Sequence, residues 1–493
     1  MAWKLIYGVP LGMSRALGNE FPSGRNASST DLRDERGDTL RPVPLQITRE
    51  RMPRGLSVPV VLIAAAVVAL GCGPTGAGSQ PPPRVLIVTI DTLRADHVGA
   101  YGGPFPTPAI DGVATAGALL LDACTPTPST GPAHASLWTG LHPWRHGVLD
   151  NAVPLGADVP TIGEVAQKAG IATAAFVSSY MLAPRFGLSR GFDTYHFEAS
   201  ENYFWRGRDQ KAFWTRADAT TDAALGWLRD HRRESFLLWV HYFDPHAPYT
   251  PPPGFERPIG EHVSLDGKSL PPGVPSFARL ADSIRGYRGD VAYTDTELGR
   301  LLEGLRALDL LDATTIVITS DHGEGLGDHG LLEHGENLFE ELVHIPLAVR
   351  GPGIAPGRRL AGSAQLEDLA PTALELLKLP VPPGLDGVSL LRWLRGAVAD
   401  SPRGAVVGRR KPYPREPDLF FARRDGRKWI GPLDGPGRAF RLDLDPRESA
   451  GEEAVVPAEV ASIESAARDR SEAAPTLDSE SRRALEALGY LKP

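Results

Sequence analysis

Two apolar periods alternate along this chain. Val85-Leu86-Ile87-Val88 and Thr315-Ile316-Val317-Ile318 are unbroken aliphatic and β-branched runs, the pattern of parallel strands covered on both faces. Such runs predict strands at 85–90, 171–178, 236–243, 314–319 and 345–349. Between them apolar residues return every three or four positions, predicting helices at 107–117, 132–138, 161–169, 215–231, 286–307 and 366–377. Thr161-Ile162-Gly163-Glu164 reads as a capping box opening one of them. Strands alternating with helices predict an α/β domain over residues 84–395, a mostly parallel sheet flanked by helices. After residue 395 the pattern shortens. Strands at 404–407, 418–422, 427–430 and 438–442 and a terminal helix near 478–489 predict a smaller C-terminal α+β subdomain, 396–493. Residues 250–280 are rich in Pro and Gly and predict a loop over the sheet end, a candidate lid.

Residues 1–83 follow neither period. A polar stretch from 14 to 55 precedes an apolar segment at 58–70, interrupted only by Pro59 and ending at Leu70-Gly71-Cys72. That segment is shorter than the ~20 residues a membrane span needs and suits the apolar region of a signal peptide, with Arg49, Arg51 and Arg54 as its positive flank. Gly71 before Cys72 has the form of a bacterial lipobox, so Cys72 is the expected lipidation site. Residues 73–83 read as a tether, and Met52 as the start of a compact signal. The expectation is an exported, lipid-anchored protein of the bacterial cell envelope, held to the membrane by that anchor. The competing reading of 58–70 is an apolar core element. With Cys72 lipidated, Cys124 is left alone and no disulfide framework exists.

Composition changes little. Charges are mixed, with a net of −8 over 493 residues, and no basic stripe points to nucleic acid. The chemistry lies at the strand ends. Asp91 and Asp321-His322 directly follow two of the predicted strands, where open α/β sheets place their ligands. A lone strand-end Asp most often caps a turn, but two acids and an imidazole suit a divalent cation. Carboxylate oxygens favour Ca²⁺, Mg²⁺ or Mn²⁺, and imidazole pulls toward Mn²⁺ or Zn²⁺. The third stretch is Thr130-Gly131-Pro132-Ala133-His134. Pro132 can open a helix, leaving Thr130 at an N-terminus whose free N–H groups favour an anionic ester. A metal-bound hydroxyl there becomes a usable nucleophile, the alternative being a simple N-cap. Gly187-Leu188-Ser189-Arg190-Gly191 matches a nucleophile elbow but lies in a loop-like context that argues against one.

Taken in order, these pieces resemble the sulfatases of the alkaline phosphatase superfamily, over nearly all of residues 84 to 491. The resemblance rests on Asp91-Thr92-Leu93-Arg94-Ala95-Asp96, Thr139-Gly140 with Pro143 and His146-Gly147, Gly187 through Asp193, Pro245-His246-Ala247-Pro248, Asp321-His322-Gly323-Glu324, Leu338 through Glu341 and Leu485 through Tyr490. It implies an alkaline phosphatase-like fold and an ester hydrolase holding one divalent ion (Ca, Mn or Zn), through Asp91, Asp321, His322 and Thr130. Arg94, His134 and His334 are then expected to stabilise substrate charge, and His246 to protonate the leaving group. Asp244 and His246, completed by His334 or His329, are the expected ligands of a second ion, unless Asp244 only orients His246. The expected substrate is a small-molecule, glycan or lipid-headgroup ester.

The departures from the pattern carry as much information. Sulfatases convert a Cys or Ser to formylglycine; Thr130 stands at that position, and His134 replaces an Arg. Thr92 stands where the family has a second carboxylate. Three readings follow: a hydrolase cleaving sulfate or phosphate esters through an activated Thr, a phosphodiesterase or phosphoethanolamine-type transferase, and a non-catalytic binding protein on the same fold.

Overall fold

The computed structural model describes residues 82–198, 214–255, 263–410, 416–461 and 463, with the backbone of 203–205 and 208–210. The signal segment, Cys72 and the helix expected near 478–489 lie outside the described residues. Arg84–Ile90 (β1) and Ala118–Cys124 (β2) are followed by Ala172–Val177 (β3) and Thr194–His196 (β4). Tyr203–Trp205 (β5) and Arg208–Gln210 (β6) pair only with each other. Phe236–Tyr242 (β7), Thr315–Ser320 (β8), Leu347–Arg350 (β9) and Arg358–Gln365 (β10) complete an eight-stranded sheet of order β10-β2-β9-β8-β1-β7-β3-β4. β9 runs antiparallel to both of its neighbours; β1, β7, β8 and β3 are parallel, as their unbroken apolar runs predict.

Successive side chains of β1 point to opposite faces and enter two cores. Val85 and Ile87 pack with Trp239 and Val317 beneath the helices Thr130–Thr139, Ile162–Lys168 and Leu369–Leu376. Leu86, Val88 and Ile90 pack with Leu238, Val240 and Ile318 against Pro108–Thr115, Ala217–His231 and the long helix Phe277–Ala307. The sheet is therefore covered on both sides, with its strand ends open to the loops that carry the chemistry.

Strands β2, β4, β5, β6 and β10 and part of one helix were not expected. β2 was not expected, since Asp122 interrupts its apolar run, and β10 carries Arg358, Arg359 and Ser363 at the polar edge of the sheet. The long helix begins at Phe277, within the expected lid loop, because Ser276 accepts the Arg279 N–H as its N-cap. Gly187-Leu188-Ser189-Arg190-Gly191 follows a 3-10 turn and not a strand, and Arg190 is spent on the carbonyls of Gly156, Ala157 and Val159.

The described residues fall in one compact unit. Its smaller antiparallel sheet comprises Val406–Arg409 (β11), Phe420–Arg424 (β12), Arg427–Gly431 (β13), Gly437–Arg441 (β14) and Glu452–Ala454 (β15). Val406 and Phe421 share a cluster with Cys124, Leu338 and Val343. The buried Lys428 pairs with Glu340 at 2.9 Å and Glu448 at 3.0 Å. Cys124 is a free, buried thiol.

Candidate active site

Strand register assembles the centre. Ile90 pairs with both Tyr242 and Ser320, so Asp91 and Asp321 leave neighbouring strands at one level. The side-chain period of two puts Thr89 and Asp91 on one face and Thr319 and Asp321 beside them. The chain then turns through Thr92, a β-branched residue at φ 55°, a conformation costing roughly 1–2 kcal/mol. Four contacts hold it. Thr92 N–H donates to Asp321 Oδ1 (3.2 Å) and Leu93 N–H to Ser320 Oγ (3.0 Å). Tyr287 Oη donates to the Thr92 carbonyl (2.8 Å) and accepts from Arg94 N–H (3.0 Å).

Asp91, Asp321, His322 and Thr130 are all fully buried. His322 Nε2 stands 3.8 Å from Asp91 Oδ1, 3.4 Å from Asp321 Oδ2 and 3.3 Å from Thr130 Oγ1. Its Nδ1 donates to the Gly323 carbonyl at 3.0 Å, which leaves the Nε2 lone pair facing the carboxylates. Neither oxygen of Asp91 has a hydrogen-bond partner, nor does Asp321 Oδ2. Burial, followed by the Asp321 charge, pushes the Asp91 carboxyl well above its ordinary range. Burial likewise works to raise Asp321, but the neighbouring His322 holds it low. Buried carboxylates with three oxygens lacking a partner cost several kcal/mol, and a divalent cation among them offsets that cost. The donor set fits such an ion, and Asp91, Asp321 and His322 stand close enough together to share one.

Thr130 reaches this cluster from the helix Thr130–Thr139. Thr130, His134 and Trp138 are spaced four apart and share one face. Trp138 packs on Trp239, ring centroids 5.0 Å apart, and fixes the helix over the sheet. The helix opens at Thr130, so Pro132 is its third residue and not its first. Gly131 N–H donates to Asn151 Oδ1 at 2.8 Å and Pro132 has no N–H, so the expected row of free first-turn donors is not there. The Nδ2 of Asn151 is buried without a partner beside that turn.

His134 does not reach the substrate side. Trp239 Nε1–H donates to Thr89 Oγ1 at 2.9 Å, and that hydroxyl lies 3.1 Å from His134 Nε2. The Thr89 proton therefore goes to Nε2, and Nδ1–H donates to the Thr130 carbonyl at 2.8 Å. Burial pushes the ring down to about 3, so it stays neutral. Both of its nitrogens are engaged in holding the first turn, and the expected charge-stabilising role is replaced by a positioning one.

Arg94 is likewise committed elsewhere. Its Nε and Nη2 donate to Asp96, and Nη1 donates to Asp328 Oδ2 (2.8 Å) and the Glu324 carbonyl (3.0 Å). It braces the loops after β1 and β8 instead of facing an ester. Asp244, expected at a second ion unless it only orients His246, has both oxygens engaged: Oδ1 pairs with Arg216 (2.9 Å) and Oδ2 accepts Ala217 N–H (3.1 Å) at the start of the helix Ala217–His231. His329 pairs with Glu341 at 2.9 Å and stacks on Phe339.

His246 and His334 do converge on the centre. Their rings lie 5.1 Å apart, and the His334 ring is 4.3 Å from that of His322. His246 Nδ1 donates to the Ala247 carbonyl at 2.6 Å; burial and then His334 hold this ring well below the ordinary histidine range. His334 Nδ1 meets the buried Glu324 Oε1 at 3.1 Å. Burial pushes the Glu324 carboxyl up to about 8, opposed by His322 and by a hydrogen bond from Tyr249. Glu324, Tyr249, Thr89, Asn151 and His241 were not assigned from sequence. The four-residue spacing of Thr130, His134 and Trp138 was the signal available for the helix face.

The family model described as Sulfatase matches residues 83–379. The chain belongs to the sulfatase family. Members of this family are metal-dependent hydrolases of esters. The uncharacterized sulfatase YidJ of Escherichia coli (strain K12) is 28% identical over 392 residues, covering 71% of this chain and 77% of its own length. The choline-sulfatase of Rhizobium meliloti (strain 1021) is 26% identical over 428 residues, covering 74% and 81%. A phosphonate monoester hydrolase structure from Agrobacterium radiobacter shares the fold, with a TM-score of 0.62 and 21% identity over 83% of this chain and 96% of that one.

Proposed function

We propose that this sulfatase-family chain hydrolyses phosphate or phosphonate esters through Thr130, with a single divalent cation among Asp91, Asp321, His322 and the Thr130 hydroxyl. The observation that carries the reading is Thr130 Oγ1, buried at the helix start 3.3 Å from His322 Nε2 and beside carboxylate oxygens that have no other partner. Thr130 cannot supply the aldehyde that sulfatases make from Cys or Ser, but its alcohol is a competent nucleophile toward phosphorus. When bound, the ion supplies positive charge that lowers the hydroxyl's pKa and balances charge on the ester.

The protein's own groups do the rest. His134 Nδ1–H holds the Thr130 carbonyl, and Trp138 on Trp239 fixes the helix, so Oγ1 is aimed before substrate arrives. Attack forms the bond from Oγ1 to phosphorus and breaks the bond to the leaving alkoxide. His334, its ring 4.3 Å from that of His322 and beside His246, is placed to give that oxygen a proton from Nε2, and the Thr130 proton that attack releases passes to solvent. Glu324 orients His334 through Nδ1. Water then attacks the Thr130 ester, releases the phosphorus acid and restores the hydroxyl. A transferase would differ only in the final acceptor, an alcohol instead of water. Lipid anchoring through Cys72 is part of the same proposal and rests on sequence alone; loss of palmitate labelling in Cys72→Ala tests it.

One assay separates the ester classes. Metal-loaded protein is offered an aryl sulfate, a phosphodiester and a phosphonate monoester, with Mn²⁺, Zn²⁺ and Ca²⁺ in turn. Turnover of either phosphorus ester well above the sulfate supports the proposal. Preference for the sulfate, with Thr130→Ala as active as the parent, removes it. Metal binding without turnover of any ester favours a binding protein.

A further inference from the structure

His241 has no place in the mechanism above, yet it is fully buried against the centre. Register puts it there. Thr89 pairs with His241 across β1 and β7, so the His241 side chain shares a sheet face with Thr89 and Asp91. Its Nε2 stands 3.5 Å from Asp91 Oδ2. Neither atom has a hydrogen-bond partner.

Ser178 settles the ring's tautomer. Its hydroxyl is in close contact with the His241 carbonyl, which can only accept, so the Ser178 proton is committed there. The same oxygen accepts Phe243 N–H at 2.9 Å and lies 3.4 Å from His241 Nδ1. Nδ1 therefore carries the ring's proton, and Nε2 directs a lone pair toward Asp91. Two buried lone pairs face each other at a separation that repels them unless a proton on Asp91 or a cation lies between. Ligand atoms about 2.0–2.2 Å from one ion stand roughly 3–3.7 Å apart. The His241–Asp91 separation of 3.5 Å is of that size, as is the His322–Asp321 separation of 3.4 Å, and His322 stands slightly farther from Asp91 at 3.8 Å.

We infer that His241 Nε2 is a further ligand of the proposed cation, completing a set of two imidazoles, two carboxylates and the Thr130 hydroxyl. The inference rests on the metal centre proposed above. His134, His241 and Asp321 also stand within reach of one shared ion, but both nitrogens of His134 are already hydrogen-bonded, which leaves that group only His241 and Asp321. Two nitrogen donors select Zn²⁺ or Mn²⁺ over Ca²⁺ and Mg²⁺.

Zinc-edge X-ray absorption on the zinc-loaded full chain counts imidazoles directly. Two are expected in the parent and one in His241→Gln. The variant's zinc affinity, measured by competition with a chromophoric chelator, falls at least about tenfold, while its calcium affinity stays within about threefold of the parent's. Circular dichroism of the metal-free proteins confirms that the variant folds. A parent with a single imidazole, or a variant that keeps both the parent's imidazole count and zinc affinity, overturns the assignment of His241 alone. So do two zinc ions per parent chain of which the variant loses one. A parent that binds no divalent ion overturns the metal centre along with it.

Discussion

Around the centre, the buried polar side chains that cannot satisfy themselves mark the chemistry. Both oxygens of Asp91 lack a partner, whereas Arg94, equally buried, is bonded at Nε, Nη1 and Nη2. Thr130→Ala should therefore lower kcat at least about a thousandfold while the protein still binds its ion through Asp91, Asp321 and His322, as steady-state kinetics and metal titration would show. Arg94→Ala should act on stability: losing its pairs with Asp96 and Asp328 costs about 3 kcal/mol, read as a lower denaturant midpoint. Glu324→Gln should lower kcat about tenfold with KM and metal affinity little changed, because it releases His334 without touching the ion. That Asp91, Asp321 and His322 meet was legible in the sequence because two acids and an imidazole follow apolar strands, where a lone Asp would read as a cap. His241 was not, because a histidine between Leu237-Leu238-Trp239-Val240 and Tyr242 reads as core until the register is known. The engagement of Arg94 and Asp244 was also hidden, since their partners Asp328 and Arg216 lie in other segments of the chain.

Single elements place these residues. The parallel strands β1, β7 and β8 were legible as unbroken apolar runs, and their register alone brings Asp91, Asp321 and His241 to one face. β2 and β10 were not, because each mixes charged or polar residues into a strand whose pairing partner supplies the missing support. The helix Thr130–Thr139 was expected two residues later than it begins; Pro132 is tolerated at its third position because a first-turn N–H has no helical partner to lose. That helix is the mechanical link between core and nucleophile. Trp138→Ala should cost about 3–5 kcal/mol in unfolding free energy and lower kcat as well, because the Thr130 end loses its anchor on Trp239. A variant with the expected loss of stability but the parent's kcat would show that the helix is positioned by other contacts.

For the molecule as a whole, the α/β architecture and the smaller antiparallel sheet followed from where the apolar periods change, while the joint between them did not. That joint depends on Lys428, buried between Glu340 and Glu448, and on Cys124 packed against Val406 and Phe421, pairings made only when distant segments meet. Global stability should also depend on the ion. Chelation should lower the unfolding temperature and abolish turnover, and an ion held at a hundred times its dissociation constant should restore about 2.7 kcal/mol. The most direct test of a Thr130 nucleophile beside a bound cation is to quench the metal-loaded protein during turnover of a phosphodiester or phosphonate monoester and map the peptides by mass spectrometry. The account predicts the phosphorus-bearing half of the substrate attached to Thr130, absent after chelation and absent in Thr130→Ala. An adduct on another residue, or a Thr130→Ala protein that turns over at the parent's rate, would contradict it.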